Sequence, residues 1–134
     1  MPLEINWVNE EKTIMMHKYI GSWTIEENMA HLDTVYEIID NLEHNQKVDM
    51  IIDVQQIGYP PTGMMSRGLQ YYRNKRHPQQ GILVIVGKTF LLSFMKGLTA
   101  VAATVIPQAK QVRFVDTIEE ALHYIQSYRS AHIS

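Results

Sequence analysis

Apolar and polar residues alternate along the first twenty positions as they do in two paired strands. In the first segment Leu3, Ile5 and Trp7 fall on one face, and a second alternating segment follows after a short polar turn. Alternation with a turn of this length predicts a β-hairpin. The same alternation predicts that Met15 and Met16 lie on opposite faces of the second strand.

A long amphipathic helix is predicted after the hairpin. Thr24 and Glu27 have the spacing of a capping box, in which the two side chains bond the free backbone N–H groups of a helix start. Apolar residues then recur every three or four positions until about Asn45, which predicts one face packed on a sheet. The polar residues predicted to lie largely outside are Glu26, His31, Asp33 and Glu37.

Two nearly continuous β-branched runs, residues 48–54 and 81–87, predict central strands that helices cover on both faces. Between them the stretch GYPPTG forms a rigid elbow, because its prolines prevent the first strand from continuing. A helix is predicted from Met64 to about Arg76, where Pro78 stops it.

The last third of the chain repeats the alternation of helix and strand. A buried helix is predicted over about residues 90–105, followed by a strand at 111–116. Thr117 and Glu120 repeat the capping-box spacing at the start of a final helix. The apolar stripe of that helix consists of Ile118, Ala121, Leu122, Ile125 and Tyr128.

The predicted order is therefore β-β-α-β-α-β-α-β-α. It predicts the α/β class, with a mixed, mostly parallel five-stranded sheet packed against helices and with right-handed crossovers. Because the sequence contains no repeat, low-complexity tract or linker, residues 1–134 are expected to form one domain.

Composition narrows the range of functions. The 134 residues include no cysteine, which removes disulfides and thiolate chemistry. Twelve basic and fourteen acidic residues give a formal charge of −2, so no nonspecific binding to nucleic acid is expected. The N-terminus lacks the features of a signal peptide, and the apolar stretch 90–106 is too short and interrupted to span a membrane. A cytoplasmic protein is expected.

The element order and several local segments resemble a known family. The segments are the opening hairpin, GSWTIEE entering the first helix, MIIDV followed by an elbow, GILVIVG, and the closing FVDTIEEALHYI. Together they resemble the STAS domain of bacterial anti-sigma-factor antagonists, and more closely the divergent SpoIIAA-like proteins. The resemblance covers nearly the whole chain and implies a STAS-like fold and a regulatory, protein-binding role without enzymatic activity or a cofactor.

The resemblance also implies a phosphorylation site in the elbow. Switch members of the family carry Asp-Ser-Ser-Gly after the third strand, and an anti-sigma kinase phosphorylates the second serine. PPTG in this chain places Thr62 at the phosphoacceptor position and Gly63 at the glycine, while Pro60 and Pro61 replace the acid and the first serine. The alternative from the residues alone is that Thr62 caps the helix that begins near Met64.

The elbow also has the composition of a partner-binding surface. Its methionines next to Thr62 either fill the core or, with Tyr59 and the prolines, form the kind of exposed patch that marks an interface. The predicted partner-binding residues are Tyr59, Pro60, Pro61, Gly63, Met64 and Met65. The basic cluster Arg67, Arg73, Lys75, Arg76 and His77 either binds an acidic partner or is a solvated helix face.

Three further features invite chemical interpretations. Lys88 in GKT lies between a strand and a helix, where it either binds an anion or is a solvated lysine; a true P-loop fails on spacing. Asp53 near a strand end either orients a ligand or is a surface acid that caps the elbow. Six scattered histidines lack metal-ligand spacing, so no metal site is expected and most histidines are expected at the surface or at edges.

Three functional hypotheses follow. The leading one is a STAS-like module that binds a regulatory protein, for example an anti-sigma-type kinase, through residues 58–68. The alternative is a binder of a lipid or another small apolar molecule, with helix 90–105 and the methionines around a pocket. The third is an enzyme that uses Asp53 with Tyr59 or His77, and the sequence shows no triad spacing that supports it.

Overall fold

A computed structural model of the chain describes residues 3–57, 78–87 and 112–131. The elements in these ranges are β1 (Leu3–Trp7), β2 (Ile14–Gly21), α1 (Ile25–Asp40), β3 (Val48–Ile57), β4 (Gln80–Val86), β5 (Val112–Val115) and α2 (Ile118–Ala131). The helices predicted near residues 64–76 and 90–105 fall outside the described residues and stay predictions.

The strands form one five-stranded sheet in the order β1-β2-β3-β4-β5. β1 pairs with β2 in antiparallel fashion, and the other three pairs of neighbouring strands are parallel. The mixed, mostly parallel sheet predicted from the sequence is therefore confirmed. Because β3 lies in the middle, its backbone groups bond strands on both sides, as its β-branched composition indicates.

The two described helices pack on opposite faces of the sheet. On one face, Val35 and Ile39 of α1 pack with Met15, Val48 and Met50. On the other face α2 packs against a cluster that contains Ile51, Val84, Val86, Ala121 and Ile125. The sheet is thus the middle layer, and burial of apolar side chains on both of its faces stabilises the fold.

Met15 and Met16 show how alternation assigns residues to these faces. Met15 is fully buried in the cluster under α1, whereas Met16 packs against the cluster on the α2 side. The prediction that the two methionines lie on opposite faces is confirmed.

α1 begins as predicted and ends earlier than predicted. Glu27 donates its backbone N–H to Thr24 Oγ1 at 3.0 Å, and Thr24 donates its own to Glu27 Oε1 at 2.9 Å, which completes the capping box. The helix ends at Asp40 rather than near Asn45. The reason is Asn41, whose side-chain amide donates to the Glu37 carbonyl at 2.9 Å while its backbone N–H bonds carbonyls of the last turn.

The capping box predicts a stability effect that is specific to position. Thr24→Ala removes an N-cap and should lower the free energy of unfolding by about 1 kcal/mol. Thr34→Ala is the matched control, because Thr34 lies exposed within the same helix and its hydroxyl donates only to the Ala30 carbonyl. That control should be neutral or slightly stabilising. Equal losses of stability in the two variants, measured by urea unfolding, would contradict the role of the cap.

The apolar stripe predicted for the final helix lies on α2. Glu120 donates its backbone N–H to Thr117 Oγ1 at 3.1 Å at the helix start. Ala121 and Ile125 are buried, and Tyr128 near the end of the helix is the most exposed member of the stripe. Burial of this stripe attaches the C-terminal part of the chain to β3, β4 and β5.

A polar network ties α2 to the amino ends of the strands, which we call the amino edge of the sheet. Arg129 near the end of α2 donates from Nε to Asp49 Oδ2 at 2.8 Å and from Nη2 to the Thr13 carbonyl at 2.8 Å. The buried Asp49 carboxylate also accepts the Ile82 backbone N–H at 2.9 Å. Asp49 of β3 thereby joins β4, α2 and the start of β2.

Gly81 leaves room for this carboxylate. A Cβ at position 81 would overlap Asp49 Oδ1 and lie 3.3 Å from the Val48 carbonyl oxygen. Gly81→Ala should therefore destabilise the fold by about 1 to 3 kcal/mol, the usual cost of overpacking. In an Asp49→Ala background the same substitution should cost clearly less, because the overlapping atom is gone. Additive costs in this double-mutant cycle, measured by urea unfolding, would contradict the proposed overlap.

Candidate functional site

The predicted site begins at the carboxyl ends of the parallel strands, which we call the carboxyl edge. β2 ends at Gly21, β3 at Ile57 and β4 at Val86, and parallel strands bring these ends to the same side of the sheet. α1 also starts here, and only three residues separate its first residue, Ile25, from Gly21 at the end of β2. The chain leaves β3 at this edge and enters the elbow at residue 58.

The site residues named from the sequence follow the ends of β3 and β4 along the chain. The following candidates all fall outside the described residues: Tyr59, Pro60, Pro61, Thr62, Gly63, Met64, Met65 and Lys88. The structure places the points where their segments start, which are Ile57 for the elbow and Gly87 for Lys88. The phosphoacceptor, partner-binding and anion-binding roles therefore stay predictions.

Asp53 is buried rather than a surface acid. Its side chain is 5% exposed, and its Oδ1 accepts the Gln55 backbone N–H at 3.0 Å. β3 continues to Ile57, so Asp53 lies inside the sheet between Lys18 of β2 and Val86 of β4. The expectation of a surface acid that caps the elbow is wrong because the strand is longer than the apolar run in the sequence.

A pair of histidines lies between the sheet and α1. His17 on β2 and His31 on α1 place Nδ1 and Nε2 3.0 Å apart, and their rings meet edge to face with centroids separated by 5.1 Å. His17 is only 3% exposed and His31 is half-buried. The prediction that His31 lies largely in solvent, and the expectation of surface or edge positions, are therefore wrong for these two histidines.

The sequence contained a signal for this pair. His17 lies two positions from both Met15 and Tyr19 on β2, and therefore shares their face of the strand under α1. His31 precedes the buried Val35 by four positions, which places it on the same stripe of the helix. Their polarity alone predicted that both histidines are exposed to solvent. The two-residue alternation of the strand and the period of the helix instead place both of them at the interface between α1 and the sheet.

Burial keeps both histidines uncharged at neutral pH. Desolvation, with a smaller contribution from His31, lowers the pKa of His17 to about 3. Desolvation also lowers the pKa of His31 to about 4. Two neutral imidazoles share one hydrogen bond when one ring supplies an N–H and the other a lone pair, so the contact is compatible with the neutral pair.

Aromatic rings extend the histidine pair toward the carboxyl edge. Tyr19 lies 5.8 Å from His31 and 5.3 Å from Trp23, centroid to centroid, with both pairs edge to face. The Tyr19 hydroxyl donates to Asn28 Oδ1 at 2.7 Å, which ties β2 to the first turns of α1. Burial raises the pKa of this hydroxyl, so Tyr19 stays protonated and remains a donor.

Two buried nitrogens in this cluster have no hydrogen-bond partner among the described residues. They are Nε2 of His17 and Nε1 of Trp23. Unpaired polar atoms in a packed interface cost free energy, and the cost rises further if an imidazole becomes charged. The cluster is therefore held by packing and by the His17–His31 and Tyr19–Asn28 hydrogen bonds, and it is sensitive to the charge of its histidines.

The described part of the chain offers no metal centre. Within residues 3–57, 78–87 and 112–131, no three His, Cys, Asp or Glu side chains are grouped so that they could hold an ion. In the same ranges no helix has the length and apolar character needed to cross a membrane.

Comparison with known proteins finds a similar structure but no similar sequence. No protein-family model matches the sequence, and no curated protein matches it. In structure, the chain is similar to a crystal structure of an uncharacterized protein of the DUF3478 family from Shewanella loihica PV-4, described as having a SpoIIAA-like fold. The match has a TM-score of 0.62 and 16% sequence identity, and it covers 91% of this chain and 90% of that chain.

This similarity shows the fold. The chain has a SpoIIAA-like α/β fold, as the sequence segments quoted above predict. At 16% identity the similarity carries over no partner, ligand or chemistry. Function has to be argued from the residues at the carboxyl edge.

Proposed function

We propose that this chain is a cytoplasmic, non-enzymatic STAS-like regulatory module that binds a regulatory protein through residues 58–68. In this proposal the partner contacts Tyr59, Pro60 and Pro61, and it also contacts Met64 and Met65. Phosphorylation of Thr62 is an optional switch for binding.

The position of β3 in the sheet is the observation that supports the proposal. β3 is the central strand, paired on both sides, and it delivers the chain to residue 58 at the carboxyl edge. Open α/β sheets bind their ligands outside the carboxyl ends of such strands. The two prolines of the segment that follows β3 restrict its backbone, which would reduce the conformational entropy lost when a partner binds.

Thr62 suits a switch at this place. A phosphate adds roughly −1.5 to −2 charges, and a helix N-terminus with free N–H groups favours an anion. The basic residues that follow, Arg67 and Arg73, supply positive charge in the same segment of the sequence. A phosphate on Thr62 would add negative charge close in sequence to Tyr59, Met64 and Met65 and so change the affinity of this segment for the partner.

The small-ligand alternative gains no support from the described methionines. Met15 and Met50 are 0% and 3% exposed and pack with Val35, Ile39 and Val48 in the cluster under α1. Methionines that fill a core in this way do not line a cavity. Helix 90–105, the other predicted wall of the pocket, lies outside the described residues.

Substitution of the elbow tests the proposal. Thr62→Asp, which imitates the phosphate charge, and Met65→Asp should each change the affinity for a partner captured from the source cell's lysate by tenfold or more. The control is Gln126→Asp, because Gln126 lies on the exposed side of α2. A control at Met16 would be unsuitable, since Met16 packs against the core. Unchanged affinity in both elbow variants, measured by titration calorimetry on the identified partner, would refute the proposed surface.

A further inference from the structure

The contact between His17 and His31 joins α1 to β2 by one hydrogen bond between two uncharged rings. The two nitrogens are 3.0 Å apart, and each ring sits on a different element. A neutral pair needs one proton between these nitrogens. If both rings are protonated, two N–H groups and two positive charges face each other at hydrogen-bond distance.

We infer that the contact between His17 and His31 is an acid-sensitive device, in which protonation of the two rings releases the N-terminal half of α1 from β1 and β2 while β3, β4 and α2 stay folded. The release is local because the charges arise at one helix–sheet contact. The polar network of Arg129 and Asp49 lies at the opposite edge and on the other face of the sheet.

Among residues 3–57, 78–87 and 112–131, the strand and helix neighbours of the two rings supply no negative charge that would neutralise them once protonated. Opposite His17 in the register lie Ile5 on β1 and Ile52 on β3. On β2 itself the neighbours of His17 on this face are Met15 and Tyr19. Tyr19 is the titratable one, and its hydroxyl is protonated and bonded to Asn28.

On α1 the residues one turn from His31 are Glu27, Asn28, Thr34 and Val35. Glu27 is the charged one, and its carboxylate bonds the Thr24 backbone N–H in the capping box. In the described part of the chain no carboxylate forms a hydrogen bond or ion pair with either imidazole. Glu4 and Lys18 lie on the other face of their strands.

The release of α1 in acid is driven by proton uptake, because both rings bind protons more weakly in the closed state than in the open state. In the closed state the pKa of His17 is lowered to about 3 and that of His31 to about 4, mainly by burial. A released helix returns His31 to water and uncovers His17, so the open state binds protons at higher pH than the closed state. The opening constant then rises up to about tenfold per unit fall in pH for each proton taken up.

Trp23 is a natural fluorescent probe for the release of α1. Trp23 is 5% exposed, lies against Tyr19 and directly precedes the N-cap Thr24. Movement of the first turns of α1 would expose its indole. Trp7, the second tryptophan of the chain, lies on β1, and Trp7→Phe leaves Trp23 as the only fluorophore of this type.

Hydrogen exchange of the full chain followed by mass spectrometry tests the inference. After correction for intrinsic exchange rates, amides of residues 25–32 should exchange ten- to a hundredfold faster at pH 5 than at pH 6.5, whereas amides of β3 should keep their protection. Trp23 emission in the Trp7→Phe chain should shift to longer wavelength over the same range.

The double variant His17→Leu and His31→Leu should lose the pH dependence of exchange in residues 25–32, since apolar isosteres cannot take up protons. His31→Gln, which keeps a polar side chain, takes its place if the double variant does not fold. His123→Gln removes an exposed histidine of α2 and should behave like the wild type. Equal acceleration in residues 25–32 and in β3, no acceleration, or an unchanged pH dependence in the histidine variants would each overturn the inference.

Discussion

Arg129→Ala should lower the free energy of unfolding by about 2 to 4 kcal/mol, because it leaves the buried Asp49 carboxylate without its cationic partner. Arg129 bonds Asp49 through Nε and Nη2 and bonds Thr13 through two further contacts. The Arg129 side chain is itself 36% exposed, so the expected loss is below that for a fully buried ion pair. Arg129→Lys should recover only part of the loss, since an ammonium group cannot donate in a fork.

Arg113→Ala is the matched control for Arg129→Ala. Arg113 is exposed on β5, lies over the ring of Tyr124 at 5.2 Å from the centroid, and takes no part in the network of Arg129, Asp49 and Thr13. An exposed cation–π contact contributes about 0.5 to 1 kcal/mol. Urea unfolding monitored by circular dichroism should therefore separate the two arginines clearly. Equal losses for Arg113→Ala and Arg129→Ala would show that the network at the amino edge contributes no more than an ordinary surface contact.

The fold should lose stability in mild acid through the His17–His31 pair. Both rings have a folded-state pKa below the ordinary histidine value of 6.5, so the unfolded chain binds more protons than the folded chain once the pH falls below 6.5. The free energy of unfolding contributed by the neutral pair is fully present above pH 6.5. It is lost as the pH falls toward the folded-state values of about 4 for His31 and about 3 for His17.

The size of the loss follows from the number of protons. Each proton bound on unfolding costs about 1.4 kcal/mol of stability per pH unit. His17 is almost fully buried and should contribute nearly this amount near pH 5, while the half-buried His31 contributes less. Between pH 7 and pH 5 the wild type should therefore lose about 2 to 3 kcal/mol through the pair.

Variants isolate this loss from the titration of other groups. The chain with His17→Leu and His31→Leu should be nearly as stable as the wild type at pH 7, because both hydrogen-bonding partners are replaced together. Its urea midpoint should change far less between pH 7 and pH 5 than that of the wild type. His123→Gln should reproduce the wild-type curve, and a double variant with the wild-type pH dependence would contradict the assignment of the effect to this pair.

Local chemistry explains why most of the described fold follows from the sequence. Strand parity predicted the hairpin and the split between Met15 and Met16, and the spacing of Thr24 and Glu27 predicted where α1 begins. These signals depend on neighbours within one turn or one strand. The end of α1 was missed because Asn41 folds its amide back onto the last turn, a competition that the apolar period does not reveal.

The features missed in the site depend on contacts between distant residues. His17 and His31 are 14 residues apart and meet only when α1 is packed on β2, so their polarity misled the prediction of exposure. Asp53 was placed at a strand end because the apolar run stops there, whereas pairing with β2 continues the strand to Ile57. The Arg129 network, which spans 80 residues from Asp49, has no signal in local spacing.

Site-specific cross-linking tests the central claim, that the elbow at the carboxyl edge binds a regulatory protein. A photo-reactive phenylalanine analogue is incorporated in place of Tyr59 in one chain and in place of Gln126, on the exposed side of α2, in another. Position 59 should form an adduct with one specific protein of the source cell, position 126 should not, and Thr62→Asp should alter the yield at position 59. No adduct at position 59, or the same adducts at both positions, would contradict the proposed binding surface.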